Sequence, residues 1–349
     1  MSLKEQSIDG AKRVAHMYTP AAWKAHNWLW RIALLLGTLL ALILVLMFWW
    51  SREPSEFSVE EAATAYIPAD AKPVVGSYLV GTSIKTLDIM LNKPGGFLKN
   101  DVMPPGVLMD NIPQWEAGVL TLMRQTSLML KDEFSRSQSQ STQPEMLAQA
   151  NGALNIDFDK WMFPSAEDEY EKARQKLIQY AVELSDGNPN NAQFFARADN
   201  LANYFGLISR NLGDIAQRLS ASVGDAVVAQ SAAGEAIAKP NTVAVRQERT
   251  PRLKVDNNFY FARGYTWALL HQLRAIRHDF AVTLEQKTAL ASLDQIIAEL
   301  EKAQKPVWSP IILNGRGFGF TANHSLVMAS YISRVNAALI DIQALLRAG

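Results

Sequence analysis

The chain of 349 residues contains no cysteine, which excludes a disulfide, a thiolate zinc site and a cysteine nucleophile. It has no excess of either charge, with 34 Lys and Arg against 34 Asp and Glu. A balanced chain offers no whole-protein attraction for nucleic acid or another acidic polymer, and no nucleic-acid partner is expected. Strand patterning is also scarce; Ile311-Ile312-Leu313 before Asn314-Gly315 is its best instance. The G-x-S-x-G elbow of a serine hydrolase is missing, and so are the G-x-x-x-x-G-K-[ST] loop and a βαβ setting for a dinucleotide, so no cofactor is expected.

Long apolar runs are absent with one exception. Residues 32–50, IALLLGTLLALILVLMFWW, carry no charge over 19 positions. As a helix they are about 28 Å long, close to the ~30 Å hydrocarbon layer of a bilayer. Lys4, Lys12, Arg13, Lys24 and Arg31 precede the run against Glu5 and Asp9, whereas residues 51–72 hold Arg52 and Lys72 against Glu53, Glu56, Glu60, Glu61 and Asp70. Lys and Arg stay on the cytoplasmic side during insertion, so the spacing predicts a cytoplasmic tail over 1–31, a transmembrane helix over 32–50 and an exported remainder. Trp23, Trp28 and Trp30 at one end and Phe48, Trp49 and Trp50 at the other match aromatic belts at headgroup level. A cleaved signal peptide has a shorter apolar core and a small-x-small site close behind it; here Ser51-Arg52-Glu53-Pro54 follows directly. Ala33, Gly37 and Ala41 recur every four residues, a face on which a second membrane helix, including one from another copy, can pack closely.

Behind the span the periodicity is helical almost throughout. Residues 51–72 read as a juxtamembrane spacer with a short helix over Ser58–Tyr66. Region 73–220 predicts helices over 83–91, 115–134, 166–184 and 192–220, region 221–254 a linker or irregular insertion, and region 255–349 helices over 257–280, around Leu290–Leu300, and from about Asn323. Leu201, Phe205, Ile208, Leu212, Ile215 and Leu219 form a heptad-like seam, and Ala202, Gly206, Ser209, Gly213, Ala216 and Ser220 run beside it. Two helical glycines cost about 1 kcal/mol each relative to alanine, so Ala202, Gly206 and Gly213 are expected to meet another helix at close range. The fold class that follows is all-α: one N-terminal transmembrane helix and a large periplasmic multi-helix bundle.

Four groups of residues come into question for function. Tyr260, Trp267, His271, Arg274 and His278, with Gly264, share the second face of the 257–280 helix, where rings beside Arg and His suit a sugar or an anion. The two histidines lie two turns apart, too far for a helical zinc pair, so no metal is expected. Asp101, Asp110 and Glu116 around a proline-punctuated loop could supply an acid and a base for glycan hydrolysis, and equally could fold that loop by Asx turns and caps. Gly315-Arg316-Gly317-Phe318-Gly319 ahead of the last helix is best read as a tight reversal, with Thr321 or Asn323 as the cap. Arg197, Asp199 and Asn200 could join a polar network.

PGGFLKND at 94–101, MDNIPQWE at 109–116, RADNL at 197–201, FARGYTWALLH at 261–271, and ILNGRGFG followed by ANHSLVMASYISR at 312–334 give the chain a specific likeness. It resembles the proteobacterial membrane proteins grouped as domain of unknown function 2333. The resemblance implies an inner-membrane location in a Gram-negative cell and brings no activity, cofactor or catalytic residue with it. Three roles are expected in order: a scaffold or accessory subunit of a cell-envelope assembly with an envelope protein partner, an enzyme acting on envelope glycan, and a binder of lipid or another small envelope ligand.

Overall fold

The computed structural model describes residues 3–137, 143–188, 191–222, 227–228, 245–246, 250–307, 309, 311–315 and 322–348. The chain divides into two compact units, Met1–Trp50 and Ser51–Gly349. The first holds α1 (Leu3–Met17), α2 (Pro20–Ala25) and α3 (Trp28–Trp50). Thr19 caps α2 by accepting the Ala22 N–H at 3.3 Å, with Pro20 at the first helical position, where its missing N–H costs nothing. Helix α3 starts four residues before the uncharged run and takes in Trp28, Trp30 and Arg31; none of its residues is buried. Its 23 residues make it long and apolar enough to cross a membrane. Ala33, Gly37 and Ala41 line a shallow groove of about 340 Å³ that Tyr18 borders.

The second unit contains α4 (Val59–Ala65), α5 (Ser77–Asn92), α6 (Asn111–Met129), α7 (Glu145–Leu154), α8 (Ala166–Leu184), α9 (Ala198–Ala221), α10 (Val255–Asp279), α11 (Ala281–Gln286), α12 (Leu290–Ala303) and α13 (His324–Arg347). Among the described residues the only β-ladder joins Val227 to Arg246 and Val228 to Val245, antiparallel, within the region expected to be irregular. The strand-like pattern at 311–313 forms no strand, and an isolated bridge joins Asn314 to Asn323 beside it. Residues 316–321, the centre of the glycine-rich reversal with Thr321, lie outside the described residues. Asn323 caps α13 by accepting the Leu326 N–H at 2.9 Å.

Helices α6 and α10 form the centre. A Cβ on Gly264 would stand 1.9 Å from the Trp115 carbonyl oxygen, and one on Gly118 would stand 2.1 Å from that of Phe261. Only hydrogen side chains let these two backbones meet. Trp115, Tyr204, Tyr265, Phe134 and Phe280 fill the surrounding core. Helices α4, α5, α7 and α8 pack to one side, α9, α12 and α13 to the other. The α9 seam from Leu201 to Leu219 is buried, and so are Met328, Ile332, Val335, Leu339, Ile342 and Leu346 of α13. Helix α13 has the length and composition of a span but is packed into this core.

The small-residue strip of α9 meets polar side chains of α13. Gln343 donates to the Ala202 carbonyl at 3.1 Å and Ser209 donates to Asn336 at 2.6 Å. A Cβ on Gly206 would lie 2.6 Å from the Gln343 amide nitrogen, whereas one on Gly213 would meet Asn336 only at 3.8 Å. The strip therefore faces α13, whose amide side chains reach across it.

Candidate functional site

The segment that follows α3 lies along the second face of α10. Glu53 and Arg263 form a two-pronged ion pair, with the Arg263 Nε donating at 3.2 Å. Arg263 also donates to the Ala303 and Lys305 carbonyls at 2.9 Å, which fixes the end of α12 to the same point. Glu56 pairs with Arg274 at 2.8 Å, and Arg274 reaches Glu301 at 2.7 Å. Phe57 stacks on His271 with centroids 4.1 Å apart and planes 7° from parallel, and meets Trp267 at an edge. Glu60 approaches His278 Nε2 at 3.2 Å, while Tyr78 stacks on a face of that imidazole. The sequence places Tyr260, Trp267, His271, Arg274 and His278 on one stripe for a binding partner; in the structure Trp267, His271, Arg274 and His278 of that stripe meet residues 56–60 of the same chain, and Arg263 beside it meets Glu53.

His271 is fully buried. Its Nδ1 lies 2.8 Å from the Trp267 carbonyl, and the Phe57 N–H donates to its Nε2 at 3.2 Å. Those neighbours fix a neutral imidazole with the proton on Nδ1. Burial pushes its pKa down to about 4, and the Arg274 charge adds to that. Glu60 is held below the usual carboxylate range by its own backbone N–H and by Ser58, with a smaller contribution from His278.

Beside this strap opens a cleft of about 620 Å³ between residues 51–56 and Tyr260, Arg263, Trp267, Gln304, Pro306 and Val307. The buried Trp267 indole N–H has no acceptor among the described residues. Burial, with the Glu53 charge added, raises the Tyr260 hydroxyl above its usual range, so it remains a donor at neutral pH. Gln304 is oriented by its bond to Thr266 at 2.8 Å. The cleft thus presents neutral donors and aromatic rings beside Arg52, while Glu53 and Glu56 are paired with Arg263 and Arg274. That set suits holding a polar molecule more than breaking bonds in one.

The three loop carboxylates separate into two places. Glu116 is fully buried in α6, paired with buried Lys93, and accepts the Leu98 N–H at 3.0 Å. Burial raises its pKa to about 7 against the pull of Lys93. Asp101 faces the same lysine and is raised by burial; Glu167 is raised by burial and then by Asp101. Asp110 stands instead at the N-terminus of α6 near Asp256, whose pKa is raised by burial and then by Asp110. The other sequence candidates have separate partners. Arg197 pairs with Asp199 and donates to the Ser137 carbonyl, Asn200 donates to the Glu133 carbonyl, and His324 accepts the Leu313 N–H. Among the described residues no three His, Asp or Glu side chains gather as a metal site.

Residues 23–349 match the family described as an uncharacterized protein conserved in bacteria, domain of unknown function 2333. The chain belongs to that family. No curated protein and no solved structure matches it. The family assignment covers α3 and the whole helical unit, so strap and cleft fall inside the region that defines the family.

Sequence reasoning missed Phe57, Lys93, Arg263 and Asp279. The last accepts the Gly76 and Leu79 N–H groups, both at 2.7 Å, and so caps α5 from the far end of α10. A readable signal existed for the strap: Glu53 and Glu56 carry charges opposite to those of Arg263 and Arg274 in the same order along the chain, and Phe57 and Glu60 follow as partners for His271 and His278.

Proposed function

We propose that this chain is a single-span bacterial inner-membrane protein whose helical unit stands on the periplasmic side and serves as a scaffold or accessory subunit of a cell-envelope assembly. The observation that carries the reading is the strap. Only Ser51 and Arg52 lie between α3 and Glu53, which pairs with Arg263, so the stretch of chain joining span and fold is short. A soluble domain that searches for substrate gains from a long linker. A fixture that holds partners at a set place gains from a short one. The Lys and Arg excess before α3 and the tryptophans at its ends support the orientation. The paired carboxylates of the cleft and the structural engagement of Glu116 favour binding over hydrolysis.

Affinity capture of the full chain from detergent-solubilised membranes tests this. A reproducible envelope protein partner is expected, and its recovery should fall with Glu53→Arg, which repels Arg263. Repeated recovery of the chain alone would overturn the scaffold reading. A second reading, a binder of a small envelope ligand, is favoured by the buried, acceptor-less Trp267 N–H beside the cleft. Mass spectrometry of molecules extracted from the native protein decides it, with empty protein as the contrary result.

A further inference from the structure

The second unit gathers its most exposed large apolar side chains at one end. The loop before α6 runs Val102-Met103-Pro104-Pro105-Gly106-Val107-Leu108 without a charge, and Met103 is 73% exposed. Beside it, the loop before α8 presents Trp161, Met162 and Phe163, the last 92% exposed. The two loops are tied by Asn100 donating to the Lys160 carbonyl at 3.1 Å and by a Lys99–Asp159 ion pair at 3.4 Å. A third turn, just before α10, holds out Leu253, 87% exposed, between exposed Arg252 and Lys254.

These turns share an end because α6 and α10 run parallel. Gly118 faces Phe261 and Tyr265, and further along Gln272 reaches Met123 at 3.8 Å. The loop preceding α6 and the turn preceding α10 therefore lie together. The strap runs in the same direction, from Glu53 at Arg263 to Phe57 at His271 and Glu60 at His278. Tyr260 lies within electrostatic reach of both Glu53 and Asp110. Hence Ser51, the first residue past α3, belongs to this same end of the unit.

We infer that this end is a membrane-contacting face, and that the tips at Met103, Phe163 and Leu253 insert into the headgroup and upper acyl region of the bilayer that α3 crosses. The inference rests on the reading of α3 as a span. Apolar concentrations of this kind on a soluble surface mark a partner. Here the side chains stand out on convex loop tips rather than lining a groove, which suits a yielding lipid surface more than a shaped protein one. Trp and Phe favour the interface, and apolar groups of peripheral segments settle about 5–10 Å into it. Lys160, Arg252 and Lys254, all exposed, flank the tips with cations for anionic headgroups, while Lys99 is engaged by Asp159. Only Ser51 and Arg52 separate α3 from Glu53 in the chain, so this end of the unit is within about 10 Å of extended chain from the end of the span.

Because the chain lacks cysteine, single thiols can be placed at will. Full-length Phe163→Cys, Leu253→Cys, Val282→Cys and Gly37→Cys variants would each carry a polarity-sensitive dye. They would be reconstituted in phosphatidylethanolamine–phosphatidylglycerol vesicles containing lipids spin-labelled near the headgroup or deep in the acyl chain. The expected result is a blue shift and loss of fluorescence to the shallow label at 163 and 253. The exposed site at 282, just past the opposite end of α10, should stay water-like, and the site at 37 should be quenched by the deep label. Water-like emission at 163 and 253 with quenching at 37 overturns the lipid-contact inference and leaves the span intact. Blue-shifted emission at 163 and 253 that is indifferent to both spin labels means protein cover, by a second copy or another partner, and also overturns it. No quenching at 37 removes the span itself, and the inference with it.

Discussion

His271→Gln isolates the strongest electrostatic consequence of the strap. In the fold the imidazole is neutral, with a pKa of about 4 in place of 6.5; the unfolded chain takes up a proton near the ordinary value. A folded pKa below the unfolded one gives stability that is complete above about pH 6.5 and is lost as pH falls toward 4. The difference corresponds to about 3 kcal/mol from this one residue. Glutamine offers a donor for the Trp267 carbonyl or an acceptor for the Phe57 N–H but does not titrate. It loses the stack on Phe57, about 0.5–1.5 kcal/mol at any pH.

The wild-type curve alone would hide this effect. Glu116 and Asp279 are both raised to about 7, chiefly by burial. Folded pKa values above the unfolded ones give stability that is complete in acid and lost as pH rises toward 7, the opposite sense to His271. The comparison must therefore be between variant and wild type. Urea unfolding of the full chain in mild detergent, followed by far-UV circular dichroism, should find the variant the less stable at pH 7. Relative to wild type it should gain about 3 kcal/mol between pH 7 and pH 4. A difference that does not move with pH would refute the claim that Phe57 and the strap seal a neutral imidazole against α10.

Two further perturbations test the rest of the frame. Gly264→Ala drives a methyl group to within 1.9 Å of the Trp115 carbonyl oxygen and should cost about 1–3 kcal/mol or more. Gly152→Ala in α7, where a Cβ meets nothing within 4 Å, should gain about 0.5–1 kcal/mol; thermal melts of equal midpoint for the pair would contradict the backbone contact between α6 and α10. Lys93→Met strips the buried Glu116 of its cation and should cost about 3–5 kcal/mol at neutral pH. Adding Glu116→Leu should return most of that loss in urea titrations, and a single variant within about 1 kcal/mol of wild type would show that the pair is not what secures residues 93–98 to α6.

What could be read ahead of the structure follows how local each cause is. Helix α8 lies over Ala166–Leu184 as its pattern predicts, because Ser165 caps it at 3.1 Å and three acids fill its first turn. Helix α9 begins at Ala198 rather than 192, because the preceding residues are drawn into extended contacts: Phe195 donates to the Phe134 carbonyl at 2.7 Å. That bond joins positions far apart in sequence, and periodicity has no view of it. Helix α7 escaped notice for the same reason. Its ten residues, Gly152 among them, are weak alone, and Arg124 of α6 secures the end by donating to the Leu154 carbonyl at 2.7 Å.

The candidate site divides along the same line. The second face of α10 was legible as a row of Tyr, Trp, His and Arg, and what covers it was not, since Glu53 and Arg263 are 210 residues apart. The acids after α3 first read as part of a charge asymmetry that sets orientation. Yet Asp and Glu contribute little to membrane orientation, which Lys and Arg determine. Glu53, Glu56 and Glu60 therefore need another cause, and their pairing with Arg263, Arg274 and His278 supplies one. Glu53→Gln and Glu56→Gln together separate the two explanations. Orientation, read by a reporter after Gly349, should be unchanged, while protease cleavage within residues 51–60 should quicken as the strap loosens. Inverted orientation with an unchanged cleavage rate would return these acids to topology and leave the strap held by Phe57 alone.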